Sequence, residues 1–156
     1  MKYFYLEPEA VSLSSGENTV MDTRFHPPIV SRFHCVFDVW LGDALVEDNP
    51  CWLATASAAK SILAADLTGV STDTVEVTPS EFFHEICPGR ELPEFTWLKV
   101  HGKPGVDDFG VNKSVRIVGN EGPVDPRTYT LVVSERALKL LLRLGIKHAT
   151  CSKYPP

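Results

Sequence analysis

The chain has 156 residues, of which 44% are hydrophobic and 22% charged, a composition that fits one globular domain and excludes a disordered or fibrous chain. A core of that size buries roughly 70% of the unfolded surface, so folding requires neither a metal nor a disulfide. Fifteen Lys and Arg against 20 Asp and Glu leave a net charge of −5, which runs against generic nucleic-acid binding.

In chain order, the aromatic-rich residues 2–6 (KYFYL) predict a first strand. Residues 7–28 read as a long loop, with Ser14, Ser15, Gly16 and Asn18, closed by His26-Pro27-Pro28; loops of that length are uncommon unless functional. Residues 34–38 (HCVFD) read as a strand, 39–45 as a short helical turn and 51–54 (CWLA) as a buried strand. Thr55 is placed to cap a helix over 56–66, with Ala58, Ile62 and Ala65 on one face and Gly69 beyond its end. Residues 74–77 alternate as a strand does.

Thr78-Pro79-Ser80-Glu81 has the form of a capping box with proline at the first helical position, opening a short helix that carries Phe82, Phe83 and Ile86 and stops at Cys87-Pro88-Gly89. Strands are expected over 95–101, 114–118 and 128–133, with a turn-rich stretch at 102–110 and a loop at 119–123. Ser134 caps a final helix with Leu138, Leu141, Leu142 and Ile146 as its core stripe and Gly145 at its end. A last strand is predicted over 147–151. The whole reads as α+β, a single domain over 1–156 with a mostly antiparallel sheet and about three packed helices.

The first ten residues contain Glu7 and Glu9 and lack the apolar run of a signal peptide. The apolar stretch 138–144 is interrupted by Lys139 and Arg143, far short of the roughly 20 residues a bilayer requires. A cytoplasmic setting without membrane contact is the expectation. Cys35, Cys51, Cys87 and Cys151 stand 16, 36 and 64 residues apart with no CxxC pair, so they read as small buried hydrophobes. Because adjacent strand residues face opposite ways, His34 and Cys35 do not converge on one ion. No metal or cofactor is expected.

Catalytic patterns fail. Asp108-Phe109-Gly110 spells a kinase magnesium motif, but no glycine-rich or catalytic loop accompanies it. There is no G-x-S-x-G elbow and no phosphate loop, and the five histidines show no spacing to a nucleophile. No catalytic residue is assigned, and the chain reads as a non-enzyme.

Charge is uneven: residues 1–50 sum to −5, residues 51–100 to −4 and residues 101–156 to +4. Trp40 lies between Asp38 and Asp43, and Phe109 follows Asp107 and Asp108. A ring among carboxylates has two readings: an interface anchor with steering acids, or a core aromatic beside solvated charges.

Met1-Lys2-Tyr3-Phe4-Tyr5-Leu6-Glu7-Pro8-Glu9, Asn18-Thr19-Val20-Met21-Asp22, His26-Pro27-Pro28-Ile29-Val30-Ser31 and Phe37-Asp38-Val39-Trp40-Leu41-Gly42-Asp43 form a distinctive set. Trp97-Leu98-Lys99-Val100, Asp107-Asp108-Phe109-Gly110 and Leu131-Val132-Val133-Ser134-Glu135-Arg136-Ala137-Leu138 complete it. Together they resemble small proteobacterial proteins, once filed as a domain of unknown function, now grouped with the immunity proteins of polymorphic toxin systems. Residues 111–127 belong to a stretch longer than that pattern and read as an insertion. The resemblance implies a cytosolic protein that neutralises a cognate toxin by occluding its active site, and a basic nuclease would suit an acidic inhibitor. Asp38, Trp40, Asp43, Asp107, Asp108 and Phe109 are the expected toxin contacts. The alternative is a small-ligand or regulatory domain, with the 7–28 loop as a lid over a pocket lined by Trp52, Trp97 and one or two histidines.

Overall fold

A computed structural model describes residues 1–114 and 128–155. Among them the chain order is β1 (Tyr3–Glu7), β2 (Glu9–Ala10), β3 (Val20–Asp22), β4 (Ile29–Arg32), β5 (His34–Phe37), β6 (Leu45–Asp48) and β7 (Cys51–Thr55). Then come α1 (Ala56–Ala64), β8 (Val70–Asp73), β9 (Glu76–Pro79), α2 (Glu81–Ile86), β10 (Phe95–Val100), β11 (Phe109–Ser114), β12 (Thr128–Ser134), α3 (Glu135–Leu144) and β13 (Thr150–Tyr154). This is an α+β domain of mainly antiparallel strands.

A four-stranded antiparallel sheet runs β11-β12-β1-β13, and a five-stranded sheet runs β2-β6-β7-β10-β8. The second sheet is covered on both faces, because alternate residues of its strands enter different clusters. Leu45, Trp52, Ala54 and Leu98 meet α1, α3 and the four-stranded sheet through Ile62, Leu141, Leu6 and Leu131. Val46, Leu53 and Trp97 meet Phe33, just before β5, Phe37 of β5 and Phe83 of α2 on the other side. Burial on both faces is why the 51–54 run is continuously apolar instead of alternating.

Local chemistry sets the helices. The Thr55, Ser80 and Ser134 hydroxyls accept from Ala58, Phe83 and Ala137 amides, which satisfies donors that no turn of the helix can reach. At the end of α3, Gly145 adopts φ +105°, a left-handed conformation that glycine takes without a Cβ penalty. α1 ends differently. It closes at Ala65, and the left-handed position falls on Asp66 at φ 54°, three residues before the expected Gly69.

Several expectations require correction. The 7–28 stretch contains β2, which pairs in parallel with β6, and β3, which pairs with β4. Residues 39–45 form no helical turn: the Leu41 amide donates to the Glu9 carboxylate at 2.6 Å and Leu45 already opens β6. The box at 78–81 shifts by two residues, since the N-cap is Ser80 while Thr78 and Pro79 pair with Val36 and Phe37 in β9. Thr78 is occupied elsewhere, its hydroxyl 2.8 Å from His34 Nε2. The last strand begins at Thr150, not at 147. Cys35 and Cys51 are buried as expected, but Cys87 is half-buried and Cys151 exposed. The expected strand at 114–118 enters the described residues only through Ser114, the end of β11; the 119–123 loop and most of the 111–127 insertion lie outside them. No described helix is long and apolar enough to cross a membrane.

Candidate functional site

The six residues expected at a toxin interface do not form one patch. Phe109 is fully buried in the cluster between the two sheets, whereas Trp40 packs on the cluster at the opposite face of the five-stranded sheet. Phe109 is therefore a core ring, which closes the choice its sequence context left open.

Its neighbour Asp108 is buried too, and its bonds explain why. Oδ1 accepts from Ser134 Oγ at 2.6 Å and Arg136 Nε at 2.8 Å, while Oδ2 accepts from Arg136 Nη2 and the Thr68 amide at 2.5 and 2.9 Å. The Arg136 guanidinium foremost, with the Ser134 hydroxyl and the Thr68 amide, holds this carboxyl well below the ordinary range against the opposing effect of burial. Asp107 accepts from the Lys103 amide at 2.7 Å, and Asp38 from the Leu13 amide at 2.8 Å. These carboxylates tie loops together.

Asp43 is 2% exposed and accepts from the His148 amide and ring Nδ1, both at 2.8 Å. Glu9, 5% exposed, lies beside them, and one ligand atom from each of Glu9, Asp43 and His148 falls within 4.8 Å of the other two. Burial raises the Glu9 pKa above its ordinary value, while the Leu41 and Asp43 amides oppose that rise. This trio is the one group among the described residues with the donors and the spacing to hold a metal.

Trp40 marks a different surface. Its ring meets Phe95 edge to face at 5.8 Å, its indole N–H donates to the Asp43 carbonyl at 3.0 Å, and the Arg90 guanidinium lies 5.7 Å from the ring centroid. Arg90 Nη1 also donates to the Trp40 carbonyl at 3.2 Å. These contacts tie the 87–94 segment to the strand-to-strand loop that carries Trp40. Between that segment and β9 runs an open groove of about 670 Å³, with Val77, Phe83, Leu92 and Phe95 on its walls.

Beside the groove, α2 presents Phe82 and Ile86, 59% and 58% exposed. Four residues apart, they lie on one face of the helix, while Phe83 turns into the core. The same stretch of chain carries the exposed acids Glu81, Glu85, Glu91 and Glu94, with Arg90 the one Lys or Arg in 81–94. An exposed apolar pair on an acidic segment has the make-up of a protein-binding surface. The sequence contained its signal: three apolar residues on a six-residue helix exceed what one buried face accepts.

Nucleophilic chemistry finds little support in the thiols. Burial pushes Cys51 up to about 12 and Cys35 higher still, leaving both as un-ionised thiols at neutral pH. Among the described residues no cysteine is hydrogen-bonded to a histidine; the Cys87 thiol donates to the Trp40 carbonyl at 3.7 Å.

Family models, curated proteins and solved structures give no match to this chain.

Proposed function

We propose that this chain is a non-catalytic cytosolic immunity protein that binds a cognate toxin and occludes its active site through the α2 face. The observation that carries this reading is the exposed Phe82–Ile86 pair on the acidic 81–94 segment, which also exposes Glu81, Glu85, Glu91 and Glu94. Buried apolar anchors supply binding energy at the centre of an interface, while acidic neighbours accelerate encounter with a basic partner such as a nuclease. The net charge of −5 acts in the same direction at longer range.

The test is co-expression with the toxin-like product of the adjacent reading frame. The parent chain should rescue growth and co-purify with that product. Phe82→Asp/Ile86→Asp should keep the parent's circular dichroism and melting profile while losing affinity by more than about 100-fold, the scale expected of two anchors. Rescue by the double variant, or no rescue by the parent, refutes the proposal.

A second reading, a small-ligand domain, has an observation of its own. Trp52, Trp97 and His101 line a pocket together with Pro27 and Pro28 of the N-terminal segment. Its volume of about 270 Å³ falls just under the usual span of small-molecule sites, about 300–1,000 Å³, and for that reason the protein-binding face is preferred.

A further inference from the structure

We infer that Glu9, Asp43 and His148 form a binding site for a single divalent transition-metal cation, with Zn²⁺ the best match to the donor set. The three residues come from separate parts of the chain: β2, the loop before β6, and the turn between α3 and β13. Two carboxylates and an imidazole favour zinc over magnesium or calcium, which prefer oxygen donors alone.

The three ligand atoms lie close enough together to converge on one ion. Asp43 Oδ1 and His148 Nδ1 stand 2.8 Å apart, about 0.6 Å less than the roughly 3.4 Å between donors of a tetrahedral Zn²⁺ with bonds of about 2.1 Å. The spread of the whole trio, within 4.8 Å, exceeds that tetrahedral spacing by at most about 1.4 Å. Binding therefore requires the Glu9 and His148 side chains to rotate about the ion, within the freedom of their side-chain torsions.

An acidic cluster alone would not make a site, but Glu9 supplies an independent observation. It is 5% exposed, its Oε2 accepts from the Leu41 amide, and its buried Oε1 has no hydrogen-bond partner. Buried carboxylate oxygens without a partner are rare in folded proteins, because the desolvation cost is then unrecovered. Among the described residues, the His148 imidazole is the one basic side chain paired with either carboxylate. A divalent ion would satisfy Oε1 and neutralise both acids. The His148 side chain, 42% exposed, gives the ion a path from solvent.

Position gives the ion a role. β13 belongs to the four-stranded sheet, whereas β2 and β6 belong to the five-stranded one, so a bound cation would fasten the turn that enters β13 to the edge of the other sheet. The Ala44 amide already donates to the Gly145 carbonyl across the same seam at 2.8 Å.

The experiment uses the whole chain, stripped with EDTA, titrated with Zn²⁺ by calorimetry and melted with and without the metal. One equivalent of Zn²⁺ should bind and raise the melting temperature by several degrees, and Mg²⁺ should not. Glu9→Gln, which keeps the side chain's shape, and His148→Ala, at a partly exposed position, should each weaken Zn²⁺ binding by more than about 100-fold and abolish the shift. Failure of the parent to bind overturns the site. So does undiminished binding by Glu9→Gln, which would place the metal on Cys151 or other histidines. A rise in the melting temperature of metal-free Glu9→Gln with unchanged Zn²⁺ affinity would overturn it as well, assigning the Oε1 position to a proton.

Discussion

Single carboxylates in this protein take opposite pKa shifts from their surroundings. Asp48 is raised to about 6, chiefly by burial, with the Asp38 charge adding and the Cys35 thiol opposing. A carboxyl raised in the folded state binds its proton more tightly there than in the unfolded chain, so stability increases as pH falls through the interval between the two pKa values. From the ordinary 3.8 to about 6, that interval is worth up to about 3 kcal/mol. Urea denaturation should therefore show stability falling between pH 4 and pH 6, and Asp48→Asn should flatten the slope. Asp108 runs the other way. Its lowered pKa gives stability that is complete above the ordinary carboxylate range and is lost only as pH falls below that range. The two effects occupy separate pH windows. Glycine matters at this scale where a neighbour crowds it: a Cβ on Gly16 would lie 2.2 Å from the His34 carbonyl oxygen, a distance that backbone cannot accept. The same segment feeds the Asn18 amide to His34 Nδ1 at 3.3 Å, so His34 is a satisfied core residue.

Among the elements, helix boundaries follow local hydrogen-bond chemistry and strands do not. The Thr55 and Ser134 caps and the Gly145 stop were legible because each acts within four residues. The N-cap of α2 moved to Ser80 because Thr78 and Pro79 are claimed by β5, more than 40 residues away in sequence. The parallel partners of β2 and β5 were illegible for the same reason: two-residue and four-residue strands have too short a pattern to reveal a distant mate. Ser134 carries two duties, capping α3 and donating to buried Asp108. Ser134→Ala should cost about 1 kcal/mol for the cap and about 1–2 kcal/mol more for the hydroxyl given to a carboxylate. Ser80→Ala, which removes a cap alone, is the comparison; equal losses in urea denaturation would deny Asp108 its share.

At the scale of the whole molecule, the five-stranded sheet is the common wall of two cores. Leu53 is completely buried on the α2 side of it, directly paired with Val46 and Trp97 in the flanking strands. Leu53→Ala should cost about 2–5 kcal/mol by opening a cavity where neither layer can collapse, measured as a shift of the urea midpoint with the m-value unchanged. The same wall explains the fate of the expected interface. Trp40 and Phe109 are alike in sequence context, each flanked by acids, yet the sheet separates them, and no count of neighbouring charges reports which face a ring takes.

The sequence by itself determined the α+β class, the three helices with most of their caps, and the net acidity, because periodicity, capping and charge act over a few residues or sum over all of them. Only the tertiary structure decided that Asp43 and Asp108 are buried, that Phe82 and Ile86 face outward, and that Glu9 meets His148. Those outcomes depend on contacts between residues far apart in the chain, and such contacts are chosen by packing the layers as a whole, with each polar group taking whatever partner that packing brings within reach.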